Sequence, residues 1–185
     1  MDYREKLSAY LEEEKRVIDS LNIDDINSVM NVFENTRENG KRIFICGNGG
    51  SAATASHFAS DFNKGVSEHL ERKYDFECLS DNVPMMMAVA NDISYEEVFR
   101  EPLKNKLHDG DIVVGISGSG NSKNVINAIT YAKDRGNETV AIVGYDGGKL
   151  LDLAKYHIHV NINNMQITED LHMVMDHLMM YTLCH

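Results

Sequence analysis

Arg42-Ile43-Phe44-Ile45-Cys46-Gly47-Asn48-Gly49-Gly50-Ser51-Ala52-Ala53-Thr54-Ala55 decides the fold, because an apolar run passes through glycines straight into a helix-forming stretch. It reads as a buried strand, a glycine-rich turn and a helix. Helix N-termini present unpaired N–H groups and a positive dipole end, and glycines let a bulky oxyanion approach the main chain. A phosphate is the expected guest. Further along this helix, His57 and Asp61 stand at i,i+4 spacing, which puts an imidazole and a carboxylate on one face.

Asp111-Ile112-Val113-Val114-Gly115-Ile116-Ser117-Gly118-Ser119-Gly120-Asn121-Ser122 repeats the plan: an apolar strand, a Ser/Gly loop, then a helical stretch from Val125 to Arg135. Ser117, Ser119 and Ser122 can bond phosphate oxygens without adding positive charge. Serine and glycine also make plain flexible turns. Two such loops at the carboxyl ends of parallel strands, however, stand where open α/β sheets bind ligands, and so imply one bipartite site.

Outward from these two units, Tyr3 to Leu21 and Ile23 to Asn39 read as helices. The first is amphipathic, with an apolar stripe that needs a cover. The second is entered at Asp24 or Asp25 and closed by Asn39-Gly40. Strands follow at 42–46, 76–79, 111–116, 139–143 and 156–162, and helices at 52–64, 84–90, 95–106, 122–135, 149–154 and from about Thr168 onward. Asn91-Asp92-Ile93-Ser94 reads as a break. This alternation specifies a parallel sheet flanked by helices in one domain over 1–185, with 1–39 as N-terminal helices and 40–185 as the α/β core.

A formal net charge of −11 opposes attraction to nucleic acid or anionic membrane, so a small anion must be held by dipoles and hydroxyls. No apolar run approaches a membrane span, and the acidic N-terminus does not resemble a signal peptide, so the expected location is the cytoplasm. Three cysteines, Cys46, Cys78 and Cys184, have neither an even count nor a metal-binding spacing. The methionine pairs and triplets read as core or interface filling.

The last helix places Glu169, Asp170, His172, Asp176 and His177 among Leu171, Met173, Val174, Met175, Leu178, Met179 and Met180. Ionisable groups in so apolar a helix need partners. Glu169, Met173 and His177 share one stripe.

The ordered set Gly47-Asn48-Gly49-Gly50-Ser51-Ala52-Ala53, His57-Phe58-Ala59, Ala90-Asn91-Asp92, Gly115 to Ser122, Asp146-Gly147-Gly148 and the helix bearing His177 resembles the sedoheptulose 7-phosphate isomerase (phosphoheptose isomerase) group of sugar isomerase, or SIS, domains. The resemblance implies a flavodoxin-like three-layer α/β sandwich around a five-stranded parallel sheet, and N-terminal helices that assemble a homotetramer. It also implies conversion of a ketose phosphate to an aldose phosphate on the way to the heptose of bacterial surface polysaccharide. It places substrate on Asn48, Gly49, Gly50, Ser51, Asp92, Ser117, Gly118, Ser119, Ser122 and Glu169. A divalent metal, zinc foremost, falls on His57, Asp61, Glu169 and His177. Asp61 is one methylene shorter than the family's Glu, Glu169 replaces a neutral amide, and Gly118 stands where the family usually has Thr.

Isomerisation through an enediol needs a base to move a proton between neighbouring carbons and an acid to serve the oxygens, and Asp61 and His177 are the candidates. Glu169 and His177 are eight residues apart, roughly 12 Å along a helix. Both therefore reach one ion only if their side chains lean together or a neighbouring subunit supplies a ligand. His172 and Asp176 are reserve ligands on another face. Two other functions compete. Gly47, Gly49 and Ala52 fit a loose dinucleotide pattern, but that pattern needs an acidic residue at the end of the second strand, about 20 positions on, and the nearest candidate, Asp81, comes too late. A regulatory phosphosugar binder, or one that assembles a replication initiator, would have lost the acid/base set.

Overall fold

The computed structural model describes all 185 residues. Two helices, α1 (Arg4–Ile18) and α2 (Ile23–Glu38), precede the sheet. Asn22, not Asp24 or Asp25, caps α2, its side chain accepting from the amides of Asp24 and Asp25. The two aspartates instead occupy the first turn, where a negative charge complements the helix dipole.

The sheet comprises β1 (Ile43–Cys46), β2 (Phe76–Cys78), β3 (Ile112–Ser117), β4 (Glu138–Val143) and β5 (Tyr156–His159), all parallel in the order β2-β1-β3-β4-β5. Alternate strand residues serve two cores. Ile43, Ile45, Val114 and Ile116 join Phe33 of α2, Phe58 of α3 (Gly50–Ser60) and Met175 and Met179 of α8 (Met165–Cys184). Phe44, Cys46, Val113 and Val143 join Val89 of α4 (Val83–Asp92), Leu103 of α5 (Arg100–Lys106), Val125 and Ile129 of α6 (Lys123–Asp134) and Leu150 of α7 (Gly148–Leu153). The result is the flavodoxin-like three-layer sandwich. Because the chain leaves β1 for α3 on one face and β3 for α6 on the other, the two loops diverge and open a crevice at the switch point.

Several boundaries differ from the sequence pattern. The α3 helix ends at Ser60 and passes through a π-helical turn over Asp61–Gly65, so Asp61 begins a widened turn rather than continuing a regular helix. The α4 helix starts at the Asn82 cap, with Pro84 in its first turn, and runs through Asn91 and Asp92 to the Ile93 amide, which donates to the Val89 carbonyl. Strand β5 stops at His159, since Val160 turns to pack on Ile167, Leu171 and Val17. The last helix starts a turn early, capped by Asn164.

Helix α1 is held by Val17, and by the Tyr10 hydroxyl donating to Asp170, while Leu7 and Leu11 remain exposed. No helix is long and apolar enough to cross a membrane.

Candidate active site

Gly49 starts the first loop's helix at φ +54°, a conformation that side chains with a Cβ resist. A Cβ on Gly47 would lie 2.6 Å from the Ser51 carbonyl, so the turn closes only with glycine there. Ser80, just past β2, ties the turn down by donating to the Gly47 carbonyl (2.9 Å) and accepting its amide (3.2 Å). The Asn48 side chain is likewise committed, exchanging two 2.9 Å bonds with Asn124 of α6 and accepting the Tyr95 hydroxyl at 2.7 Å.

In the second loop, Ser117 is buried and its Oγ lies 3.0 Å from Ser122 Oγ, while Ser119 accepts the Asn121 amide. Ser122 is the N-cap of α6 but makes no side-chain cap bond. Its hydroxyl therefore stays beside Ser117. Gly120, at φ +63°, packs on the Gly147-Gly148 turn, and its carbonyl accepts the Leu150 amide.

Both loops line one cavity of about 170 Å³, with Asn48, Ser51, Ser117, Gly118, Ser119 and Ser122 joined by Met165 and Glu169. A Cβ on Gly118 would lie 2.7 Å from Met165 Sδ, so Met165 fills the room that a larger residue would need. Glu169 approaches the first loop, its carboxylate 2.5 Å from where a Gly50 Cβ would stand. Asp92 is exposed at the end of α4, bonded to Asn91, and does not line this cavity. A wider opening of about 380 Å³ lies at the amino ends of β4 and β5, away from both loops and from every candidate acid or base.

The helices α3 and α8, which give Ser51 and Glu169 to the cavity, pack together and bring His57, Asp61, Asp176 and His177 to within 4.8 Å of one another. His57 Nε2 lies 3.1 Å from His177 Nε2, 3.4 Å from Asp61 Oδ2 and 3.7 Å from Asp176 Oδ2. Glu169 is not with them. Two helical turns from His177, it stays at the serine loops, and the carboxylate beside the histidines is that of Asp176. In the sequence Asp176 ranks only as a reserve ligand beside His172, because the resemblance to the family points to Glu169 instead. Asn124 and Tyr95 pass unremarked there, since neither belongs to a motif.

Thr168, His172 and Asp176 succeed one another along the buried side of α8, and Thr168 Oγ1, both His172 ring nitrogens and both Asp176 oxygens lack hydrogen-bond partners. Burial pushes the Asp176 carboxyl up to about 7, with the negative charge of Asp61 adding to the rise. Burial pushes the His172 ring down to about 4.

The cluster fits a divalent cation. Two atoms each about 2.0–2.1 Å from a tetrahedral centre stand roughly 3.3 Å apart, close to the separations around His57. Two imidazoles and carboxylates form a donor set that suits zinc and also accepts iron, nickel or manganese.

A doubly wound sheet that places a cradle of hydroxyls and helix amides beside an imidazole–carboxylate cluster defines a class: proteins that hold a small phosphorylated molecule and can move protons on it. The family model described as SIS domain matches residues 2–144. The chain is 34% identical to the phosphoheptose isomerase of Aliarcobacter butzleri over 95% of its own length and 90% of that protein. It is 37% identical to that of Helicobacter pylori strain P12, over 92% and 88%. The structure of phosphoheptose isomerase GmhA from Neisseria gonorrhoeae superposes with a TM-score of 0.90 at 27% identity, covering 99% of both chains. The chain belongs to the SIS domain family and, within it, to the phosphoheptose isomerases.

Proposed function

We propose that this protein is an aldose/ketose isomerase that interconverts sedoheptulose 7-phosphate and D-glycero-D-manno-heptose 7-phosphate for heptose biosynthesis. The observation that carries the reading is that α3 and α8, which give Ser51 and Glu169 to the serine-lined cavity, also bring Asp61 and His177 together, in a chain whose relatives are phosphoheptose isomerases. The phosphate binds the hydroxyls of Ser51, Ser117, Ser119 and Ser122 and the first amides of α3 and α6. Asn48, Gly49, Gly50 and Gly118 shape that cradle, and Glu169 accepts from sugar hydroxyls beyond it.

Asp61 takes a proton from the carbon beside the carbonyl and returns it to the former carbonyl carbon, while His177 protonates the carbonyl oxygen and deprotonates the neighbouring hydroxyl. Hydrogens change places within one molecule, so no oxidant or reductant is consumed. A divalent ion, zinc foremost, held by His57, Asp61 and His177, supplies Lewis-acid polarisation of the carbonyl when bound. The assembly we infer is a homotetramer, supported by the exposed Leu7 and Leu11 on α1 and Val174, Leu178 and Tyr181 on α8. Light scattering at micromolar concentration giving a monomer would refute it.

The test of the activity is proton NMR in deuterated water, with zinc-loaded protein and a panel of ketose phosphates. Conversion of sedoheptulose 7-phosphate with deuterium entering at the carbon beside the carbonyl is expected. Neither conversion nor exchange with any sugar would leave the regulatory phosphosugar binder in its place.

A further inference from the structure

Asp176 is the one carboxylate of the cluster that is wholly buried, and neither of its oxygens has a hydrogen-bond partner. A buried ionised carboxylate without a partner is so costly that proteins either neutralise it or give it a cation. Its surroundings indicate which. His57 Nε2 lies 3.7 Å from its Oδ2, too far for a hydrogen bond. That nitrogen already faces His177 Nε2 at 3.1 Å and Asp61 Oδ2 at 3.4 Å. All four donors thus converge on one small volume between α3 and α8, and none of the three exposed or half-buried partners closes it from the core side.

Consecutive residues on a helix point about 100° apart, so Asp176 and His177 reach a common point only if it lies between their directions. The seam where α8 packs on α3 is such a place, with Asp176 on its buried side and His177 on its open side. Glu169 lies two turns of α8 away from that point, against Gly50 at the start of α3.

We propose that Asp176 is the fourth protein ligand of the divalent cation held by His57, Asp61 and His177, which leaves Glu169 to the substrate cavity. The inference rests on the metal-assisted reading of the site but not on the identity of the sugar. Two carboxylates balance a dication's charge, so the bound site is electrically neutral against the core. The ligand set is two imidazoles and two carboxylates, with Asp176 as its only fully buried member.

Full-length wild type, Asp176→Asn, Asp176→Leu and Glu169→Gln are stripped with EDTA and titrated with cobalt(II) chloride. Visible absorption, metal stoichiometry by mass spectrometry and thermal melting are recorded. Wild type should bind one cobalt per chain with ligand-field bands and a raised melting temperature. Asp176→Asn should lose more than about 100-fold in affinity, beyond the roughly 10- to 100-fold that loss of an outer-shell partner costs. Asp176→Leu should show neither bands nor a metal-induced melting shift, yet melt at or above stripped wild type, since an unpaired buried charge has gone. Glu169→Gln should keep the wild-type spectrum and affinity. If Asp176→Leu does not fold, Asp176→Asn decides alone, being nearly isosteric. Unchanged affinity and spectrum in the Asp176 variants, loss of metal in Glu169→Gln alone, or no cobalt binding by wild type would overturn the assignment. An isomerase assay that fails on protein whose cobalt binding depends on Asp176 would sink the substrate reading and leave this one standing.

Discussion

The serine loops and the histidine cluster draw on the same two helices, α3 and α8, yet the first have their polar groups bonded to one another and the second leaves the buried Asp176 without a partner. Ser80 holds Gly47, Asn48 and Asn124 hold each other, and Ser117 meets Ser122, so the anion cradle stands ready before any ligand arrives. At the seam, Asp176 has no partner and two histidine nitrogens face each other. A paired region is shaped for binding with little rearrangement. An unpaired one stores free energy that a cation or a reacting substrate can release. Damage to the first should therefore appear in affinity and stability, and damage to the second in turnover.

The largest expected effect is at the seam. His177→Ala and Asp61→Asn should each lower kcat by about 10²- to 10⁴-fold, the range for loss of a positioned acid or base. Circular dichroism and urea midpoints should stay near wild type. A loss of fold in step with activity would break the distinction. On the loop side, a Cβ on Gly120 would overlap the Gly147 carbonyl at a φ of +63°. Gly120→Ala should therefore destabilise by about 2 kcal/mol or more in urea unfolding.

Next in size is binding. Ser119→Ala combined with Ser122→Ala should weaken sugar-phosphate binding by roughly 1–3 kcal/mol, as hydrogen bonds to a charged group are lost. Unchanged affinity in calorimetry would show that the backbone amides suffice.

The smallest effect sharpens the contrast within α8 itself. His172 is neutral in the fold down to about pH 4, whereas the unfolded chain's histidine takes up a proton near 6.5. The unfolded state therefore binds more protons between these values, and the His172 contribution is full above 6.5 and lost as pH falls. Asp176, raised to about 7, acts in the opposite sense in metal-free protein, because the folded state then holds the extra proton as pH falls below that value. Replacing His172 with Leu should make the variant gain about 1 kcal/mol relative to wild type between pH 7 and 5.5. Parallel urea midpoints across that range would show that the ring is not held neutral.

The cradle was legible because its requirements are local. A strand, glycines with positive φ and hydroxyls at a helix start are all neighbours in sequence, and both loops fall where their motifs place them. The boundaries that shifted are those set by partners distant in sequence: β5 ends early because Val160 packs beside Val17, and α8 begins early because Asn164 caps it. The site divides the same way. His57 and Asp61 come together through helical spacing, and His177 stood out as an imidazole in an apolar helix. Glu169 was grouped with them although eight residues of helix separate it from His177.

Residue order alone thus determined the parallel α/β plan, the two anion loops and the i,i+4 pair on the helix after β1, since each depends on backbone geometry and periodicity over a few residues. Only the tertiary structure decided which α8 carboxylate faces the histidines. Glu169 and Asp176, seven residues apart, share one side of α8 and differ by roughly 10 Å along its axis, so the choice depends on which level of α8 meets which level of α3. Met175 and Met179, entering the core shared with Phe58 and Phe62, fix that level, setting Asp176 beside His57 and leaving Glu169 at the loops against Gly50.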